Sequence, residues 1–280
     1  MENCIYNIKT IELSDTIFDT VCDCTYVILC CGENPYRLPS VLKNIQILRP
    51  TRYVKLIFNK GYKQCQLSVS VNNDLVNIQK YVFKDALIKG YKRILYLEDD
   101  FQLPKQIIEK DVNNICSFIK NNNPCVYGLG NILFPSPTTI FSYHQKPILN
   151  TIFGMAHCLF YNNIGMKACY DYFDNFKGDK RTLALDTTLC HIPGIDLYRY
   201  YKPLVMQTLP PTENQKHGWK YQTGEYGLTI WLKCVRLLNL HRSVYPGFTI
   251  LYIIPYVIYI LVIFFIILMM RNKWSVKKTI

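Results

Sequence analysis

Residues 247–270, GFTILYIIPYVIYILVIFFIILMM, run for 24 positions without a charge. A surface helix of a globular protein needs a polar stripe, and this run has none at any angle around a helix axis. At about 1.5 Å per residue it reaches about 36 Å, more than the about 30 Å hydrocarbon core of a bilayer. Tyr245 and Trp274 flank it where interfacial aromatic residues gather, and Pro255 within it is tolerated in membrane helices. The expectation is a single-pass C-terminal membrane anchor over 247–270 with a short basic tail, 271–280. Residues 1–240 are left to form one folded domain.

The charge distribution agrees. The net charge is +12, yet no Asp or Glu follows Glu225, whereas Lys233, Arg236, Arg242, Arg271, Lys273, Lys277 and Lys278 do. These residues flank the apolar run, where each can meet anionic headgroups at about 1 kcal/mol. The remainder, +5, forms no Lys/Arg cluster, so no nucleic-acid partner is expected. The start, MENCIYNIKTIELSD, lacks the basic and then apolar order of a secretory signal. With a C-terminal anchor, the expectation is a domain on the cytosolic side, while the four positive charges behind the span, against three before it, argue for the opposite orientation. The 12 Cys show no C-x-x-C pair, which predicts buried, reduced thiols.

Within the domain, 25–31 (TYVILCC) reads as a buried strand, and Leu38, Val41, Leu42, Ile45 and Leu48 mark one face of a helix. A second strand covers 54–58, and the alternation at 66–71 suggests a third. Leu75, Ile78, Val82 and Leu87 mark a helix with Asp74 as N-cap and Gly90 as stop. The run 93–97 (RILYL) is a buried strand, followed by a helix from Pro104 to about Lys120 and a strand at 125–127 before GLGN. Such alternation predicts an α/β fold around a mostly parallel mixed sheet with both faces covered. The second half predicts a strand at 157–161, a helix at 164–176, a short helix at 183–189 and a strand at 204–207.

The strand at 93–97 runs straight into Glu98-Asp99-Asp100. Three adjacent carboxylates repel one another and call for a cation. The carboxyl edge of an open α/β sheet is also where ligands bind. A hard divalent ion, Mn²⁺ or Mg²⁺, held by one or two carboxylates and substrate phosphates, suits this chemistry.

YKRILYLEDDF is similar to the acidic "DxD" loop of GT-A glycosyltransferases. Its E-D-D form resembles that of lipooligosaccharide-type galactosyltransferases and N-acetylglucosaminyltransferase I. TYVILCCGENPYRLPSVLKNIQIL resembles their first strand and helix, which hold the nucleotide. The resemblance spans roughly 22–220 and implies a GT-A, Rossmann-like domain. It also implies a nucleotide-sugar donor and a glycan, lipid or protein acceptor. It places Glu98 near the ribose or sugar, Asp99 on the donor and Asp100 on the metal. Gly32, Asn34 and Arg37 would line the nucleotide site, and Lys84 the diphosphate. Asp186, in LALDTTL, would be the general base on the acceptor hydroxyl, and His217, in TENQKHGWK, a late metal ligand. His157 and His191 are expected to pack in the core.

The chain departs from the family in having no second acidic motif and no KPW-type C-terminal signature, which leaves inversion or retention open. Two other readings remain. Another metal- and nucleotide-using transferase would want a Gly-rich, basic loop after the first strand, and GENPYR has one Gly. A non-catalytic, membrane-anchored scaffold on a decayed transferase fold sits poorly with an intact acid triplet.

Overall fold

The computed structural model describes residues 6–29, 35–61, 68–103, 106–130, 143–146, 157–183, 188–201, 204–207, 237 and 249–276. In chain order the elements are β1 (Asn7–Glu12), β2 (Cys24–Leu29), α1 (Leu38–Leu48), β3 (Tyr53–Phe58), α2 (Val71–Ile88), β4 (Arg93–Glu98), β5 (Phe101–Gln102) and α3 (Glu109–Asn122). There follow β6 (Val126–Gly128), β7 (His144–Gln145), β8 (Cys158–Asn162), α4 (Asn163–Asp174), β9 (Leu197–Tyr200), β10 (Met206–Gln207) and α5 (Thr249–Val276). An 8-stranded sheet runs in the order β1-β3-β2-β4-β8-β6-β9-β7, and β10 pairs with β5 beside it.

Two hydrophobic cores sandwich this sheet because successive strand residues point to opposite faces. Tyr26, Ile28, Ile94 and Tyr96 pack with Val76, Val82 and Phe83 of α2 and with Met166 and Cys169 of α4. Val27, Leu29, Leu95 and Leu97 pack on the other face with Val41, Ile45 and Leu48 of α1 and with Ile115 and Ile119 of α3. Burying apolar surface on both sides at about 25 cal/mol per Å² is what favours continuous apolar strands such as CTYVIL, in which all six residues are buried.

The chain leaves β2 through α1 to β3 on one side. It then returns through α2 to β4 on the other side of β2. Both pairings, β2 with β3 and β2 with β4, are parallel. Between β2 and β4 the strand order reverses, which opens a crevice at their carboxyl ends.

The α/β architecture and the mixed sheet are as expected, but the antiparallel pairings outnumber the parallel ones, so the sheet is not mostly parallel. Only β3-β2-β4 and β6-β9 pair in parallel; β1-β3, β4-β8, β8-β6 and β9-β7 are antiparallel. A fully buried apolar strand reads alike in either direction, so β8 carried no sign of its reversal. Local corrections follow from capping. The N-cap of α2 is Ser70, whose Oγ accepts the Asn73 N–H at 3.1 Å. Residues 68–70 therefore lead into a helix, and Val71 belongs to it rather than to a third strand. The α3 helix opens at Glu109 rather than Pro104. A 3-10 turn at Leu189–His191 stands in the described part of the expected short helix, of which 184–187 lie outside the described residues.

The six described cysteines, Cys22, Cys24, Cys116, Cys125, Cys158 and Cys169, are buried and unbridged, as expected. The apolar C-terminal run is helical within α5, and its side chains over 257–270 are exposed or half-buried. Among the described residues no helix is long and apolar enough to cross a membrane.

Candidate active site

The acid triplet stands at the crevice between β2 and β4. Glu98 ends β4 on the face of Tyr96, and its backbone N–H donates to the His157 carbonyl at 3.1 Å. Its charge is felt by Tyr161 on that same face, whose hydroxyl burial pushes far above its ordinary range, with smaller contributions from Cys169, Tyr96 and Glu98. Asp99 opens the turn after β4, and its Oδ1 lies 2.5 Å from Arg37 Nη1. Arg37 closes the 3-10 turn Pro35–Arg37 that precedes α1. The pair therefore ties the segment after β2 to the segment after β4. Arg37 is 9% exposed and Asp99 7%, a degree of burial at which opposite charges need each other.

Asp100 is equally buried, at 7%. The chain then enters β5, where Asn44 of α1 donates from Nδ2 to the Phe101 carbonyl at 2.8 Å. Gln102 and Phe101 pair with Met206 and Gln207 of β10. The acids are thus held by β4 on one side and by a two-stranded ribbon on the other.

At the carboxyl end of β3, Asn59 Nδ2 donates to Asp74 at 2.6 Å and Ser68 Oγ donates to its other oxygen at 2.9 Å. Burial raises the Asp74 carboxyl despite these two hydrogen bonds, which act the other way. Asn73 Oδ1 accepts the Val69 N–H at 3.1 Å. Asn73 and Asp74 therefore fix the entry to α2, beside the crevice.

Arg37, Glu98, Asp99 and Asp100 come together as the sequence suggested. Lys84 does not. It is exposed on α2, thirteen residues past Val71 and so about 20 Å along the helix axis. Its charge acts on Asp174 of α4. Gly32, Asn34, Asp186 and His217 lie outside the described residues. His157 is fully buried, whereas His191 is exposed rather than packed.

The donor set is one of hard oxygens, which suits Mg²⁺ or Mn²⁺. Among the described residues no group of three or more His, Cys, Asp or Glu gathers into a cage. Asp99 is engaged by Arg37. An ion that takes one or two carboxylates and completes its shell with water and substrate phosphates needs no cage. Asp100, supported by Glu98, fits that role.

Two contributors escaped sequence reasoning. Asn44 is a buried polar residue on the apolar face of α1, between Val41, Ile45 and Leu48, and that misplacement was its signal. The β5-β10 ribbon has two residues per strand and leaves no periodicity to find.

No protein-family model matches the chain, and none of the curated proteins does. Among solved structures, the chain is similar to a glycosyltransferase involved in the glycosylation of the major capsid of PBCV-1. The likeness covers 69% of this chain and 95% of that one, with a TM-score of 0.40 and 11% identity. A likeness this slight carries no argument about fold or activity.

Proposed function

We propose that this protein is a metal-dependent glycosyltransferase that moves a sugar from a nucleotide-sugar donor to a membrane-associated, glycan or protein acceptor. The observation that carries the reading is the Glu98-Asp99-Asp100 turn at the crevice where the sheet order reverses, with Arg37 pinned to Asp99 from the 3-10 turn that precedes α1. Asp100, with Glu98, would hold Mn²⁺ or Mg²⁺. Such an ion supplies Lewis-acid stabilisation to a departing diphosphate. Arg37, kept beside the triplet, contributes positive charge for that diphosphate. Gly32 and Asn34 belong to the segment joining β2 to Arg37, through which the nucleotide would be approached. Asp186 is the candidate base, and His217 a candidate further ligand. In the transfer, the bond from the sugar C1 to the phosphate oxygen breaks, a bond from C1 to the acceptor oxygen forms, and the acceptor proton passes to a carboxylate.

The test is a panel of sugar nucleotides offered to the full chain with Mn²⁺, with Mg²⁺ and with chelator. One donor class should be turned over only when a divalent ion is present. If no donor is consumed and no nucleoside diphosphate binds under any of these conditions, the proposal fails.

The exposed apolar surface of α5 over 257–270 supports a further part of the proposal, a C-terminal anchor with the domain on the cytosolic side. The full chain should stay with membranes through alkaline carbonate, and a chain ending at Tyr245 should not. Protease outside sealed microsomes should digest 1–240. Identical fractionation of the two chains would remove the anchor, and full protection would reverse the orientation.

A further inference from the structure

His157 was expected to be a packing residue, and it is buried completely. Its connections are nevertheless not those of a filler. The backbone carbonyl of His157 accepts the N–H of Glu98 at 3.1 Å. Its ring Nε2 lies 3.0 Å from the Val205 carbonyl oxygen. A carbonyl only accepts, so the ring proton on this side sits on Nε2. Val205 directly precedes β10, and β10 is the partner of β5, the strand that begins immediately after Asp100. One residue therefore reaches both ends of the acid turn, by its backbone at Glu98 and by its ring through β10 at Phe101.

Gly130 makes this contact steric as well as polar. A Cβ built on Gly130 would stand 2.1 Å from His157 Nε2 and 2.3 Å from the Val205 oxygen, between donor and acceptor. The approach of the two is thus set by the missing side chain of the second Gly in GLGN. On the same segment, the Leu129 carbonyl accepts both Leu204 N–H at 2.8 Å and Val205 N–H at 3.2 Å, and Leu129 N–H donates to the Cys158 carbonyl at 3.1 Å. The ends of β4 and β6, the start of β8 and the approach to β10 converge around His157.

We propose that His157 is a positioning residue: its Nε2–H, seated against Gly130, clamps Val205 and thereby fixes the β5-β10 ribbon that sets where Asp100 stands. A strand of two residues has little pairing of its own, so losing one anchor loosens the whole ribbon. A carboxylate ligand displaced by even about 1 Å loses much of its effect, since site geometry must hold to roughly 0.5 Å. The consequence for metal binding rests on the reading of the acid triplet given above; the clamp itself does not.

Two variants break the same contact from opposite sides. His157→Leu removes the donor, and Gly130→Ala wedges a methyl between donor and acceptor while leaving His157 intact. His157→Gln is the rescue, because its amide N–H can reach the same oxygen. Hydrogen exchange followed by mass spectrometry on the full chain reads the clamp. Peptides holding 101–102 and 206–207 should exchange about tenfold faster in His157→Leu and Gly130→Ala, as expected for one lost hydrogen bond. They should exchange at the normal rate in His157→Gln, and the β2-β3 peptides should be unchanged in all three. Affinity for Mn²⁺ alone, read by the electron paramagnetic resonance of the free ion, should fall about tenfold in the first two variants and recover in the third. Unchanged exchange in both His157→Leu and Gly130→Ala would overturn the clamp, as would failure of His157→Gln to restore it. Should His157→Leu not fold, Gly130→Ala decides alone. If the unaltered chain does not bind Mn²⁺, the functional proposal falls and the exchange result still judges the clamp.

Discussion

Asp100→Ala is expected to abolish manganese-dependent binding of a nucleoside diphosphate, a loss of more than about 100-fold, while the chain stays folded. A divalent ion that takes only one or two protein oxygens depends on each of them. Asp99 cannot take over, because it is engaged by Arg37. Asp100 lies in the turn between β4 and β5 rather than within a strand or helix, so its removal leaves the core-forming elements intact. Isothermal titration with and without Mn²⁺ gives the affinity, and a thermal melt of the same sample reports folding. Asp99→Ala supplies the contrast. It leaves the Arg37 guanidinium buried without its carboxylate, the situation in which breaking a buried pair costs about 3–5 kcal/mol. Wild-type metal dependence in Asp100→Ala would remove Asp100 from the metal site.

Asp186→Asn should cut sugar transfer by about 10²–10⁴-fold, the usual contribution of a general base. It should spare donor affinity. Asparagine keeps the shape and removes the basicity. The argument is chemical: an inverting attack needs a carboxylate to receive the acceptor proton, opposite the leaving diphosphate, and the residues that would hold metal and nucleotide are on other segments. Turnover and donor binding measured on one preparation separate the outcomes. Normal transfer dismisses Asp186, and equal losses of rate and affinity would move it to the donor site. Product anomeric configuration, read by NMR, adds an independent check. Retention would leave no place for such a base.

Much of the first half of the domain was legible because its elements repeat simple physical patterns. CTYVIL and RILYLE are apolar runs of strand length, and the stripe of α1 has helical period. The acid triplet stood out because strand-end charges need a reason. What the sequence hid is of three kinds. Direction is invisible in a strand buried on both faces, so β8 gave no hint that it runs against β4. Edge strands such as β1, with four of its six residues exposed, have too weak a pattern. Partnerships across long separations, such as Arg37 with Asp99 or His157 with Val205, depend on folding and leave no local mark. Lys84 shows the converse. Its position between strand and acids suggested proximity, but helices run back along the sheet, and it was carried away from the crevice.

The reversed strand has a bearing on how the molecule is assembled. β4 and β6 are near neighbours in the chain, yet β8 lies between them and bonds to both. β6 cannot join the sheet until residues beyond 157 have arrived, whereas β1 to β4 with α1 and α2 can collapse from earlier sequence alone. Closing the larger loop is the slower and entropically costlier event. Until it happens, the bonding groups along the outer side of β4 have no strand to meet, and an open edge of this kind invites pairing with another chain. The segment bearing the acids is therefore on a border of the sheet that stays open until β8 arrives. The chemistry at the acid turn thus becomes available only when β8 has been threaded into the middle of the sheet.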